Sequence, residues 1–226
     1  MANDEQKAKA GEAAAALVEA GMTVGLGTGT TAAHFVRALA ARKLDVQGVS
    51  TSEATEALAH QLGIRTLSLD AAKAIDLTVD GADEIGPGLS LIKGGGAALL
   101  REKLVWEASR RCVVIADASK VSAVLGGFPL PIEVVRFGHS HTSGAIADVL
   151  ADFGLPVPRL RLKDGAPVIT DSGNVLYDAG RGAIEDPAQL ASALKSITGV
   201  VDHGLFLDMA DQAFVAGEAG VEVLTP

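Results

Sequence analysis

The sequence of 226 residues has one cysteine, so no disulfide within the chain can brace it. That residue, Cys112, lies in the apolar run Cys112-Val113-Val114-Ile115, where a thiol serves as a small core hydrophobe. Aromatic residues make up only 4% of the chain, which excludes a core filled by rings and calls for closely approaching helices and sheet built from small and aliphatic side chains. Positive charge is also in short supply. Lys and Arg number 19 against 28 Asp and Glu, a formal net charge of −9, and no basic block appears. That excludes the electrostatic footprint of a nucleic-acid-binding protein. No apolar stretch approaches the length of a membrane span, and Asp4 and Glu5 stand where a secretory leader would carry positive charge. The expectation is a cytoplasmic protein without a membrane or nucleic-acid partner.

What is abundant is alanine, glycine and a regular alternation of strand and helix patterns, with 48% apolar content to fill a sizeable core. Residues 4–20 read as an Ala-rich amphipathic helix ending at Gly21, followed by a buried strand at 22–26 and a second helix from about Thr30. Strands at 46–50 and 75–79 flank a helix at 53–62. Residues 89–92 lead into Gly94-Gly95-Gly96 and a helix to about Ser109, and 111–116 supply another strand. Such alternation predicts a doubly wound, mostly parallel α/β sheet over residues 1–128. Gly126-Gly127-Phe128-Pro129-Leu130-Pro131 interrupts it and marks a domain boundary. Beyond it, a strand at 132–137, a helix at 142–153, hairpin turns at Asp164-Gly165 and Ser172-Gly173, a helix at 187–197 and a strand at 200–206 predict a small α+β domain over 129–206. Strands in about 207–226 are candidates for return to the first domain.

Four segments place glycines or polar groups where a parallel strand ends, the edge at which open α/β sheets bind ligands. In Gly25-Leu26-Gly27-Thr28-Gly29-Thr30-Thr31, tight glycine turns and free N–H groups at a helix start suit an anion, although a capped strand-to-helix turn has the same pattern. Thr30 stands where a dinucleotide fingerprint wants glycine, so a single phosphate or a sugar fits better than a pyrophosphate. Asp80-Gly81-Ala82-Asp83-Glu84 brings carboxylates to the sheet edge for sugar hydroxyls or proton relay, while the Asp-Gly pair also reads as a solvated turn. Metal ligation by these acids lacks support, since His139 and His141 sit in a loop of the other domain. Lys93-Gly94-Gly95-Gly96 sets a cation beside a glycine nest at a helix start; three glycines are a costly way to open a helix unless the backbone must approach something closely. Glu102 shares a helix face with Leu99 and Trp106, neighbours that would raise its pKa and make it a better base, although the run Arg101-Glu102-Lys103 suggests a surface position. Lys120 ends the fourth segment, Ala116-Asp117-Ala118-Ser119-Lys120.

Taken in order, GLGTGTT, TSEAT, DGADEI, KGGGAALLREK, ADASK, GNVLYD and GVVDHGLF resemble ribose-5-phosphate isomerase of type A over nearly the whole chain. The resemblance implies a ribose-5-phosphate isomerase/CoA-transferase-like sheet with a ferredoxin-like small domain. It also implies a homodimer or higher homo-oligomer, and an enzyme of the non-oxidative pentose phosphate branch that needs neither metal nor cofactor. By matching motif, Glu102 would be the base that moves a proton between C1 and C2 through a cis-enediol, and Lys93 with Gly94, Gly95 and Gly96 would hold charge developing on oxygen. Asp80, Gly81, Ala82 and Asp83 would contact hydroxyls and assist ring opening and proton traffic. Thr28, Gly29, Thr30, Thr31 and Lys120 would complete substrate binding. A non-catalytic sugar-phosphate sensor on a related fold is the chief rival, followed by relatives acting on amino sugars or acyl-CoA.

Overall fold

Strands too short to be stable alone pair into sheets in the computed structural model, which describes residues 2–226. The first of two compact units comprises residues up to Ala82, Arg101–Lys120 and Asp208–Pro226. Its strands are β1 (Thr23–Leu26), β2 (Gln47–Ser50), β3 (Arg65–Thr66), β4 (Leu77–Gly81), β7 (Cys112–Asp117), β15 (Gln212–Gly217) and β16 (Gly220–Leu224), in the order β16-β15-β7-β4-β1-β2-β3. All pair in parallel except the terminal β15–β16 hairpin. All six residues of β7 are buried, as a parallel strand covered on both faces requires. From β1 the chain runs outward to β2 and β3, then returns to the other side of β1 as β4. The connections at the carboxyl ends of β1 and β4 therefore diverge, which opens a crevice there.

Helices α1 (Ala2–Ala15), α2 (Thr30–Ala41) and α3 (Glu53–Gln61) belong to this unit. The scarcity of aromatics is met by close approach: a Cβ on Gly11 of α1 would stand 2.7 Å from the Phe35 nitrogen of α2. Val24, Leu26, Phe35, Val36, Leu39, Val79, Val113 and Ile115 fill the core beneath. The first helix stops at Ala15 and does not run to residue 20, because Arg42 Nη1 takes the Ala15 and Val18 carbonyls while Leu17 and Val18 turn tightly. α3 is capped by Ser52, whose hydroxyl accepts the Thr55 N–H at 3.2 Å.

The second unit comprises Asp83–Leu100 and Val121–Leu207. It holds β8 (Pro131–Val134), α5 (His139–Asp152), β9 (Arg159–Leu160), β12 (Val175–Asp178), α6 (Pro187–Lys195) and β13 (Val200–His203), with the hairpin β10 (Leu162–Lys163) to β11 (Ala166–Pro167). The antiparallel order β13-β8-β12-β9 with two covering helices is the βαββαβ, ferredoxin-like arrangement. Ile146 and Leu150 of α5 and Leu190 and Leu194 of α6, each pair spaced i,i+4, pack with Ile132, Val134, Val175 and Tyr177. Asp164 and Gly165 both have left-handed φ, 54° and 80°, as a tight two-residue hairpin turn demands.

Two corrections concern this unit. Residues 89–92 do not add to the parallel sheet: β6 (Leu91–Ile92) lies between β5 (Glu84–Ile85) and β14 (Leu205–Phe206) in a separate antiparallel sheet. Two-residue strands carry no periodicity by which to place them. His139 and His141 are not in a loop either, because α5 begins at His139 after a left-handed Gly138. Helix α4 (Leu99–Glu107) starts in the second unit and continues in the first.

Candidate active site

In the first unit, the crevice between β1 and β4 brings the threonine loop and the first acid of the Asp-Gly pair together. Asp80, fully buried, accepts the Thr28 N–H at 3.0 Å and the Gly81 N–H at 2.7 Å on Oδ1. Only glycine fits at position 27, since a Cβ there would lie 2.2 Å from that oxygen. Gly29 adopts a φ of 105° and opens α2 with no side-chain cap, leaving the first-turn N–H groups at Thr30 and Thr31 for an anion.

The three threonines diverge in use. Thr28 Oγ1 turns into a hydroxyl cluster with Thr51 (2.7 Å), Ser52 (2.8 Å) and Thr55 (3.3 Å), so its hydroxyl fixes the loop to the start of α3. Thr30 Oγ1 accepts from Lys7 Nζ at 3.1 Å. Thr31 stands beside Gly81, 3.8 Å from where a Cβ on that glycine would be. Lys7 thus places a cation at the uncapped helix start, a position that sequence reading missed and that a separation of 23 residues hides.

Glu102 is 3% exposed, Lys103 8% and Trp106 2%, so the charged run on α4 is not a solvated face. Arg101 faces Glu53 at 3.6 Å. Lys120 closes a one-turn helix after β7, half-buried, where Asp117 turns the chain by accepting the Ser119 N–H at 3.1 Å.

In the second unit, Lys93 follows β6 with 2% exposure, its ammonium 5.4 Å from the centre of the Phe206 ring. Its N–H donates to Gly204 O at 2.8 Å. Gly94 has φ of 107°, and the turn closes through Ala97 N–H to Gly94 O at 3.0 Å with Ala97 itself at φ 63°. Asp83 Oδ2 accepts the Gly95 N–H at 2.7 Å, and a Cβ on Gly95 would come 2.6 Å from the other Asp83 oxygen. The costly triple glycine therefore answers to backbone geometry at position 94 and close approach at 95. Ala82 ends the first unit's run just before Asp83.

Glu84, 3% exposed, turns away to another task. Its carboxylate accepts the N–H groups of Gly126 (3.0 Å), Gly127 (3.2 Å) and Phe128 (3.0 Å). Burial works to raise its pKa, but these bonds and one from Ser122 outweigh it and hold the carboxyl below its ordinary value. His139 Nδ1 pairs with the Tyr177 hydroxyl at 2.7 Å. Among the described residues no helix is long and apolar enough to cross a membrane.

Residues 47–220 match the family model described as ribose 5-phosphate isomerase A (phosphoriboisomerase A). A ribose-5-phosphate isomerase A from Caulobacter sp. (strain K31) is 68% identical over the full length of both chains. One from Parvibaculum lavamentivorans is 49% identical, covering 99% of each. Among solved structures, ribose 5-phosphate isomerase A from Neisseria gonorrhoeae superposes with a TM-score of 0.91 at 36% identity, covering 99% of this chain and 97% of that one. A D-ribose-5-phosphate isomerase in complex with phospho-erythronic acid superposes at 0.93 with 38% identity and complete coverage of both.

Proposed function

The chain belongs to the ribose 5-phosphate isomerase A family, and on that premise we propose that it interconverts ribose 5-phosphate and ribulose 5-phosphate through a cis-enediol, with Glu102 as the base. The observation that carries the assignment of the base is the 3% exposure of Glu102 in a helix that opens from the glycine loop. Removing the proton from C2 of the open-chain aldose leaves electrons that run to the C1 oxygen. That oxygen takes a proton, and the enediol collapses when the C2 hydroxyl proton leaves and C1 receives a proton from the Glu102 carboxyl. Atoms and electrons balance without a redox partner.

Charge builds on oxygen in this sequence, and preorganised donors stabilise it most where water is excluded. Lys93 and the N–H groups of the glycine loop supply them, while Asp80 and Asp83 assist ring opening and carry protons between the two oxygens. The phosphate is assigned to the uncapped start of α2 at Gly29, Thr30 and Thr31, with Lys7 and Lys120 as cations, because the α2 dipole and free amides favour negative charge. Thr28, Gly81, Ala82, Gly94, Gly95 and Gly96 contribute backbone geometry. The same reading places the enzyme in the cytoplasm, in the pentose phosphate pathway, as a homodimer or higher homo-oligomer. Phe137 on the second unit, 93% exposed, is a side chain that a second copy would cover.

The test is conversion of ribose 5-phosphate by the purified protein in EDTA, with ribulose 5-phosphate followed by NMR. Ketose formation in EDTA is expected. Activity that returns only on adding a divalent ion would make ligands of Asp80 and Asp83. No conversion under either condition would favour a sugar-phosphate sensor.

A further inference from the structure

The glycine loop after β6 is held from both sides, and only one hold enters the chemistry above. On one side Asp83 takes the Gly95 N–H. On the other, Arg161 Nη1 donates to Gly94 O at 2.8 Å and to Gly95 O at 3.3 Å. Arg161 is itself fixed by Asp178, which accepts Nε on Oδ2 at 2.8 Å and Nη2 on Oδ1. The pair is largely buried, with side chains 16% and 26% exposed.

A trans peptide points its C=O and N–H in opposite directions. Pinning the carbonyls of Gly94 and Gly95 therefore turns the N–H groups of Gly95 and Gly96 to the far side of the loop. The first reaches Asp83; the second meets no acceptor among the described residues. Bonding a guanidinium to each carbonyl also polarises the peptide and strengthens the N–H as a donor. The loop needs a hold, because Ala97 sits at φ 63°, a conformation that a residue with a Cβ keeps only when its surroundings impose it.

We propose that the Arg161–Asp178 pair is a positioning device for this loop, aiming the Gly96 N–H and fixing Asp83 for the enediolate oxygens. The proposal rests on the isomerase reading above. Lysine could not substitute fully, since one ammonium cannot hold a carboxylate and two carbonyls in the fixed geometry of a guanidinium fork.

The test compares Arg161→Met, Arg161→Lys and Asp178→Asn for kcat, KM and the Kd of phospho-erythronic acid, with thermal unfolding as the fold control. A misaimed loop in Arg161→Met is expected to lower kcat about a hundredfold. KM should stay within about threefold, and affinity for the analogue should fall with kcat. Arg161→Lys should recover about tenfold of the lost kcat, and Asp178→Asn should lose about tenfold. Should the methionine variant not fold, the lysine and asparagine variants decide by the same kcat-against-KM split. Folded variants with wild-type kcat and analogue affinity, or with a loss confined to KM, overturn the clamp. Failure of the wild-type protein to isomerise ribose 5-phosphate would instead sink the isomerase reading. The clamp would then stand or fall on whether the Gly95 and Gly96 amide resonances shift in Arg161→Lys.

Discussion

At the scale of single residues, the telling case is Glu102. Its neighbours in sequence, Arg101 and Lys103, suggest a solvated helix face, yet both Glu102 and Lys103 are buried. Helical spacing relates Glu102 to Leu99 and Trp106, which sequence does reveal, but what covers that face comes from elsewhere in the chain and leaves no local mark. If the buried carboxylate moves the proton, Glu102→Gln keeps shape and polarity while removing the base. Loss of general-base catalysis is expected to lower kcat by about 10²–10⁴-fold with KM and phospho-erythronic acid affinity little changed. Steady-state kinetics with calorimetry of the analogue checks both halves. A glutamine variant with wild-type turnover would remove Glu102 from the mechanism. Thr28 carries the complementary lesson: its place in the loop is legible, but its hydroxyl serves Thr51, Ser52 and Thr55, residues 23 to 27 positions away.

Elements were legible in proportion to their length and periodicity. Helices α2 and α3 and strands β1, β2, β4 and β7 lie within a few residues of their expected places, because each carries an apolar pattern of its own. The two-residue strands β5, β6 and β14 have none, and the segment Asp83–Leu100 that they organise falls in the second unit, where sequence order suggested the first. Glu84 shows how such a short element is secured. Its carboxylate gathers three backbone N–H groups from residues 126–128, and that contact ties β5 to the Gly-Pro segment read from sequence as a boundary. Because its pKa is held below the ordinary value in the folded state, its contribution is complete above the unfolded pKa and is lost as pH falls through the depressed folded value. Glu84→Gln should therefore cost about 2 kcal/mol near pH 7, the worth of hydrogen bonds to a charged group. The gap from wild type should close at acid pH. Urea unfolding across the acid range tests this, and a gap independent of pH would show that the carboxylate charge is not what holds the loop. Glu133 has the opposite sign: burial raises its pKa against bonds from Asn174 and Thr170, so its cost appears as pH rises through the raised value.

At the scale of the whole molecule, the first unit is assembled from three separated stretches of chain and the second from two. The place of the last stretch is not legible in sequence, because β15 and β16 carry strand patterns but nothing local says which edge they join. In the structure β15 lies parallel to β7 from Gln212↔Val113 to Ala216↔Asp117, and Ala213 and Ala216 are fully buried. β15 closes the edge of β7 that β4 leaves open, so the final stretch completes the sheet that carries Asp80 and leads to Lys120. A chain ending at Leu207 would expose one edge of β7 to water and remove five rungs of its ladder. The single tryptophan, Trp106, is 2% exposed in this unit and reports on its packing. The truncated chain is expected to show red-shifted tryptophan emission and no isomerase activity, while the antiparallel sheet of the second unit keeps its circular-dichroism signal. A truncated chain that retains blue emission and turnover would mean that β15 only covers an edge, and that the parallel core from β7 to β3 folds without it.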